Sequence, residues 1–311
     1  MKRKKLISIV IPVYNEESGI PELIKKLTYF TNSLNKYLFE IILVENGSND
    51  NSFVVLKNQI SKDKRFKIVQ LSKNIGCDGG IEAGIHYVKG DALVIMMADL
   101  QEPLEIIRTF IDKWEGGYEI VYGVIKKRTA GLFRDLGSRL FYKTLNLLTG
   151  NIFPENVSDF RLIDKKVYEA LKMMKEQNKY LRGLTIWTGF KQIGIPFNRK
   201  KRFAGETKAN FKTMLKVAFN GIFSFSYLPL RLVSLLGIVI VVGSTILMIV
   251  DLYLFVVHGR ETPGIMTVII ILLVLFGILF FVLGIISEYL VRIYDEVKNR
   301  PIFIEKSRVN L

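Results

Sequence analysis

The sequence predicts an α/β domain built on a mostly parallel sheet, followed by two membrane-crossing helices. Three observations predict it. Short apolar strands alternate with amphipathic helical patterns through the first half of the chain, two long uncharged runs stand near the carboxyl end, and Lys and Arg crowd the flanks of those runs. With 311 residues, half of them apolar, there is area for a substantial core in one large domain or two.

Taken in order, strands are expected over Leu6 to Ile11, Phe39 to Val44, Phe66 to Leu71, Ala92 to Met97 and Glu119 to Val124, because each is a brief apolar run bounded by turn residues. Helices are expected between them, over Pro21 to Leu34, Ser52 to Ile60, Gly79 to Val88 and Pro103 to Trp114. Pro103 suits the first residue of its helix, where its missing N–H would have no partner anyway. A longer helix is expected over Phe133 to Leu148 and a loop over Asn151 to Asn156. Phe211 to Tyr227 reads as an interfacial amphipathic segment, with Phe211, Met214, Leu215, Phe219 and Phe223 towards lipid and Lys212 and Lys216 towards headgroups; a helix packed on the soluble domain is the other reading.

Leu232 to Val250 and Thr262 to Ser287 carry no charge and are long enough to cross a bilayer as helices; a pair of helices buried in a large soluble core is the alternative. The formal net charge is +15, and eight Lys or Arg against one acid, Glu206, lie between Arg199 and Arg231. Arg292, Lys298, Arg300, Lys306 and Arg308 follow the second run. Basic flanks on both outer sides put both in the cytoplasm, with the turn His258 to Gly264 on the far side; Asp251 marks the membrane exit or, in the other reading, a helix contact. The expected divisions are 1–210 for the cytoplasmic domain, 211–231 for the juxtamembrane segment, 232–290 for the hairpin (helices at about 232–257 and 263–288) and 291–311 for a basic cytoplasmic tail.

Nucleic acid is not expected as a partner, since there is no zinc-ligand spacing, RNP-like aromatic motif or basic heptad, and basic residues beside membrane helices attract anionic lipid. The lone Cys77 excludes an internal disulfide and fits a reducing compartment. Met1 to Lys5 is basic but runs into too short an apolar stretch for a signal peptide. The oligomeric state is left open, a homo-oligomer included.

Chemistry concentrates at the strand ends. The fourth strand breaks off at Met97-Ala98-Asp99-Leu100-Gln101-Glu102-Pro103, and Asp99 and Gln101, two apart in an extended segment, are candidate ligands of one hard cation shared with substrate phosphates. The first strand leads into Pro12-Val13-Tyr14-Asn15-Glu16, and the second into Glu45-Asn46-Gly47-Ser48-Asn49-Asp50, polar groups suited to a base and ribose. Each alone is equally ordinary turn chemistry.

These motifs resemble those of family 2 glycosyltransferases of the polyisoprenyl-phosphate hexosyltransferase type, over essentially the whole chain. The resemblance implies a GT-A (Rossmann-like) catalytic domain, Mg or Mn as cofactor, and inverting transfer of a hexose from a nucleotide diphosphate sugar, UDP-glucose first, to a membrane polyprenyl phosphate such as undecaprenyl phosphate, for cell-envelope glycan modification at the inner (plasma) membrane. It implies roles for Pro12, Tyr14, Glu16, Glu45, Lys73, Asn74, Gly76 and Asp99 at the nucleotide sugar, for Asp99 and Gln101 on metal, and for Asp99, Asp159 and Arg161 near the reacting centre. Arg199, Arg202 and Lys208 are expected on acceptor or donor phosphate, since Arg binds phosphate bidentately; a solvated, lipid-attracting patch explains them equally. The chain departs from the family pattern at Glu45-Asn46 and at Met97, where aspartates are usual, and at Cys77 and Gly79 in the Lys73 to Gly80 loop. Two alternatives stand beside the transferase: a catalytically weakened nucleotide-sugar-binding scaffold, and a processive polysaccharide synthase, against which the missing Gln-x-x-Arg-Trp signature counts.

Overall fold

A computed structural model describes residues 3–126, 157–177, 179–200 and 265–311, with helical positions in part between 233 and 257. Arg202, Lys208 and the segments expected over Phe133 to Leu148, Asn151 to Asn156, Phe211 to Tyr227 and His258 to Gly264 lie outside the described residues.

The elements run β1 (Leu6–Val13), α1 (Ile20–Asn32), β2 (Leu38–Glu45), α2 (Ser52–Ile60), β3 (Phe66–Leu71), α3 (Gly76–His86), β4 (Ala92–Ile95), α4 (Glu105–Glu115), β5 (Ile120–Ile125), β6 (Val157–Asp164), α5 (Lys165–Met173), α6 (Leu181–Trp187), β7 (Gln192–Phe197), α7 (Ile265–Lys298) and β8 (Glu305–Val309). They build one eight-stranded sheet in the order β7-β5-β6-β4-β1-β2-β3-β8. β1, β2, β3 and β4 pair in parallel; β6 lies antiparallel between β4 and β5, and β8 antiparallel along β3. The sheet is GT-A-like, and the strand order reverses between β1 and β4, the crevice where open α/β sheets take ligands.

Burial on both faces explains the continuous apolar strands: Ile7, Ile9 and Ile11 join the main core while Val10, on the other face, is equally inaccessible. α3 covers that second face closely. A Cβ added at Gly84 would stand 2.4 Å from Val10 Cγ1, so only glycine lets the helix approach β1 this far. After β6, Asp164 caps α5 by accepting the Lys166 N–H at 2.9 Å, and its other oxygen accepts the Trp114 indole N–H at 2.6 Å.

Three expectations need correction. α4 starts at Glu105, not Pro103, because a tighter turn precedes it: Pro103 O accepts the Ile106 N–H at 3.1 Å and Leu104 O the Ile107 N–H at 3.0 Å. Asp99 to Gln101 is a tight turn rather than an extended segment, with Leu100 at φ 56°. The segment expected as a basic tail instead supplies β8, whose alternation puts Lys306 and Arg308 in solvent and packs Val309 on the core beside β3.

The chain divides into two compact units, Met1–Gly221 with Arg300–Leu311, and Ile222–Asn299. In the second, α7 is a 34-residue helix. Within its portion Val274–Lys298 an 18-residue window has mean hydropathy 2.4 and none of that window is buried; by length and composition the helix suffices to cross a membrane.

Candidate active site

The loops after β1, β2 and β3 are stitched together at the carboxyl edge of the sheet. Asn15 N–H donates to Ser48 Oγ at 3.0 Å and Glu16 N–H to Ser52 Oγ at 2.9 Å, while Asn49 N–H returns a bond to Asn15 Oδ1 at 2.8 Å. Glu45, 1% exposed, turns its carboxylate back on its own loop and accepts the Ser48 N–H at 2.5 Å. Asn46 reaches across instead: its Nδ2 donates to Gly76 O at 2.8 Å and its Oδ1 accepts the Ile75 N–H at 3.1 Å. Gly47, at φ 64°, lies against the Lys73–Asn74 backbone so tightly that a Cβ there would meet Lys73 C at 2.4 Å. Pro12, Tyr14, Glu16, Glu45, Lys73, Asn74 and Gly76 thereby belong to one braced loop cluster.

At the end of β4 the chain reverses through Leu100, whose left-handed backbone is held by a side chain buried in the core. The reversal folds Asp99 Oδ1 onto the Gln101 N–H at 3.2 Å; Oδ2 lies 3.9 Å from Arg199 Nη2, and Lys200 N–H donates to Gln101 O at 2.9 Å. The segment after β7 is thus brought to the metal-candidate turn. Among the described residues no group of three or more His, Cys, Asp or Glu is placed to hold a metal. One carboxylate and one amide oxygen nonetheless form a hard-oxygen set, which fits a divalent ion that draws its remaining ligands from substrate phosphates and water.

Beside this turn stands a charge cluster. Glu102 is 2% exposed and ties the end of β4 to β6, accepting the Met97 N–H at 2.9 Å and the Ser158 hydroxyl at 3.0 Å. Burial pushes its carboxyl up to about 7, with the charges of Asp159 and Asp99 adding to the effect against those two hydrogen bonds. Asp159 receives a two-pronged contact from Arg182, Nε to Oδ1 at 2.5 Å and Nη2 to Oδ2 at 2.6 Å. Burial alone would raise the Asp159 carboxyl, but Arg182, Arg161 and Arg199 together hold it below its ordinary value. Arg161 is locked from behind, Nε on Asp159 O at 3.2 Å and Nη2 on Ser158 O at 3.1 Å. Asp78, in the first turn of α3, is pushed up to about 7 by burial and by the charge of Asp159. Its neighbour Cys77 is touched by solvent and lies 3.7 Å from Met97 Sδ; burial and the nearby Asp159 and Asp78 raise its thiol well above its usual range. Cys77 is exposed and Met97 half-buried, so solvent reaches these two sulfurs where the start of α3 meets the end of β4.

The sequence matches the glycosyl transferase family 2 model over residues 8–172, which spans β1 to α5 and so contains the loop cluster, the Asp99 turn and the Asp159 strand. The chain belongs to glycosyltransferase family 2. It is 41% identical over 305 residues to the glycosyltransferase YkcC of Bacillus subtilis, covering 98% of this chain and 94% of that one. It is 34% identical over 304 residues to the prophage bactoprenol glucosyl transferase homolog of Escherichia coli K12, covering 96% and 98%. Among solved structures, glucosyl-3-phosphoglycerate synthase of Mycobacterium tuberculosis, in complex with Mn2+, UDP and phosphoglyceric acid, is similar at 13% identity and TM-score 0.49, over 70% of this chain and 76% of that one.

For a family 2 glycosyltransferase the site is assembled from two groups. The nucleotide candidates share the loop cluster; Asp99, Gln101, Arg199, Asp159 and Arg161 share the ends of β4, β6 and β7; the Cys77–Met97 contact joins the two. Arg182, Asp78, Glu102 and the clamp made by Asn46 escape the sequence reading. Asp78 and Glu102 flank motifs that were legible, whereas Arg182 follows an antiparallel strand that no spacing announces.

Proposed function

We propose that this glycosyltransferase moves a hexose, glucose from UDP-glucose first, onto a membrane polyprenyl phosphate with inversion at the anomeric carbon. Full-length likeness to the bactoprenol glucosyl transferase homolog carries the reading. In it, Tyr14, Glu16 and the braced loops grip the nucleotide, Asp99 and Gln101 hold a Mg or Mn ion beside the diphosphate, and Arg199, with Arg202 and Lys208, meets phosphate. When bound, the ion offsets charge on the departing diphosphate. A phosphate oxygen of the lipid attacks the anomeric carbon as the bond to the diphosphate breaks on the opposite side. A phosphate monoester is already anionic near neutral pH, so no strong base is needed, and Asp159 is suited to orienting a sugar hydroxyl as much as to taking a proton.

The same reading places the protein in the plasma membrane as a two-helix hairpin, with 211–231 in the interface and the catalytic unit cytoplasmic. α7, with 34 residues, is about 51 Å long at ~1.5 Å per residue and exceeds a hydrocarbon core of about 30 Å. Its charged last turns, Glu288 to Lys298, therefore project beyond the bilayer on one side.

Purified protein in detergent with polyprenyl phosphate, Mg or Mn and radiolabelled UDP-glucose is expected to yield an organic-extractable glycolipid; nucleotide binding without product, from this or other UDP- and GDP-sugars, overturns the reading. Asp99→Ala is expected to lower the rate by about 100-fold or more, as loss of a charge-stabilising group does. A full rate in that variant removes Asp99 from the metal. A reporter fused at Thr262 is expected on the non-cytoplasmic face.

A further inference from the structure

Asp159 does not stand alone beside the Asp99 turn. The β4–β6 register pairs Ile95 with Arg161, and continuing it beyond the end of β4 sets Asp159 opposite Met97, beside the reversal that carries Asp99. Charged or titratable groups face Asp159 from every neighbouring element: Arg161 on β6 itself, Arg182 on α6, Asp78 and Cys77 on α3, Glu102 after β4 and Arg199 after β7. The two nearest guanidinium groups are used differently. Arg161 is 3% exposed and hydrogen-bonds the backbone carbonyls of Asp159 and Ser158, so it is part of the strand's own scaffold. Arg182 is 26% exposed, rises from the first turn of α6, and spends its fork on both oxygens of the Asp159 side chain. A two-pronged contact fixes the rotation of a carboxylate as well as its charge.

We propose that Arg182 is a positioning residue for sugar transfer, its fork holding the partly exposed Asp159 carboxylate as an oriented anion able to accept hydrogen bonds from the reacting partners. This deepens the transferase reading and rests on it. An ionised carboxylate has about four lone-pair sites, of which the fork occupies two, leaving the others for a sugar hydroxyl. The fork also decides which of two neighbouring acids carries charge. Asp78 and Asp159 sense one another, and two like charges in a partly desolvated site favour sharing a single proton. With Arg182 on Asp159, the proton stays with Asp78, pushed up to about 7, and the charge stays with Asp159, held low. Without Arg182 the Asp159 carboxyl rises, so the acidic limb of a rate profile that needs ionised Asp159 moves to higher pH.

The test is the pH profile of kcat/KM for the wild type, Arg182→Gln and Arg182→Lys, with kcat and donor KM resolved separately. Arg182→Gln is expected to lose about 100-fold in kcat with donor KM little changed, as misplacement of a reacting group does. Its acidic limb is expected to move up by about one pH unit or more. Arg182→Lys keeps the charge without the fork and is expected to restore much of the limb's position but little of the rate. A uniform loss of rate in Arg182→Gln with the limb unmoved, or a loss carried by donor KM, overturns the proposal. Infrared difference spectra over the same pH range read carboxyl protonation without turnover, so they decide the inference even if the wild type transfers no sugar, which would sink only the transferase reading. The wild type is expected to show carboxylic acid absorption titrating near 7 that Asp78→Asn reduces and that Asp78→Asn combined with Glu102→Gln removes; Arg182→Gln is expected to add a further band that Asp159→Asn abolishes. Identical spectra for wild type and Arg182→Gln count against the fork.

Discussion

Asn46 shows how a single departure from a family pattern finds its reason in packing. Its amide donates to Gly76 O and accepts from Ile75 N–H, joining the end of β2 to the loop that opens α3. An aspartate there keeps the acceptor role but turns a second oxygen towards the Gly76 carbonyl, where a donor is required. Asn46→Asp is therefore expected to destabilise the fold by about 1–3 kcal/mol, the cost of a partly buried polar group left without its partner. Thermal melting of the purified protein measures it, and an unchanged melting temperature shows that the clamp contributes nothing. Met97 has a comparable local setting. Its backbone N–H is held by Glu102 and its sulfur lies against Cys77, so the position missing a family acid is occupied by the contact that joins the two halves of the site.

At the scale of elements, legibility in the sequence follows burial. β1, β2, β3 and β4 are sandwiched between helices, read as near-continuous apolar runs, and were located to within one or two residues at most ends. β6 is buried too, but Ser158, Asp159 and Arg161 interrupt its apolar pattern because they belong to the charge cluster beside the Asp99 turn, and it reads as a motif rather than as a strand. β8 is hidden for the opposite reason. Its charged side chains face solvent, and what fixes it is the unpaired edge of β3, a partner that no local pattern reveals. Further ties hold the same segment: Tyr87 donates to Glu305, Ser72 N–H to Ile304 O at 2.9 Å, and Phe303 packs edge-on to His86 at 5.8 Å. Deleting Glu305 to Leu311 bares the β3 edge. Each lost ladder bond is worth roughly 1 kcal/mol, so the truncated protein is expected to melt lower and to self-associate in size-exclusion chromatography. If these residues behaved as a solvated tail, both measurements would match the full chain.

Over the whole molecule, the charge cluster sets how stability responds to pH. Asp78 and Glu102 have ordinary values of 3.8 and 4.5 and are each pushed up to about 7 in the folded protein, chiefly by burial. Between those ordinary values and about 7 the folded state holds protons that the unfolded chain has released, so stability falls as pH rises through that window and levels off above it. Glu82 adds a raised value in the same sense, burial outweighing its ion pair with Lys179. Asp159, Glu40, Asp50 and Asp63 are lowered and act oppositely, but their contribution is present above their unfolded values and is lost only as pH drops below about 4. The two windows meet near the ordinary carboxyl values, which puts the stability maximum of the catalytic unit at acidic pH, at about 4 to 4.5, rather than at neutrality. The melting temperature is expected to drop between about pH 5 and pH 7.5, and combining Asp78→Asn with Glu102→Gln is expected to flatten that slope. Glutamine keeps an acceptor for the Met97 N–H, and the Ser158 hydroxyl can turn to accept from its amide, so the double variant removes titration while preserving the tie between β4 and β6. A melting temperature that is constant or rising over this range in the wild type would mean that both acids ionise freely, and that their surroundings are wetter than the packing indicates.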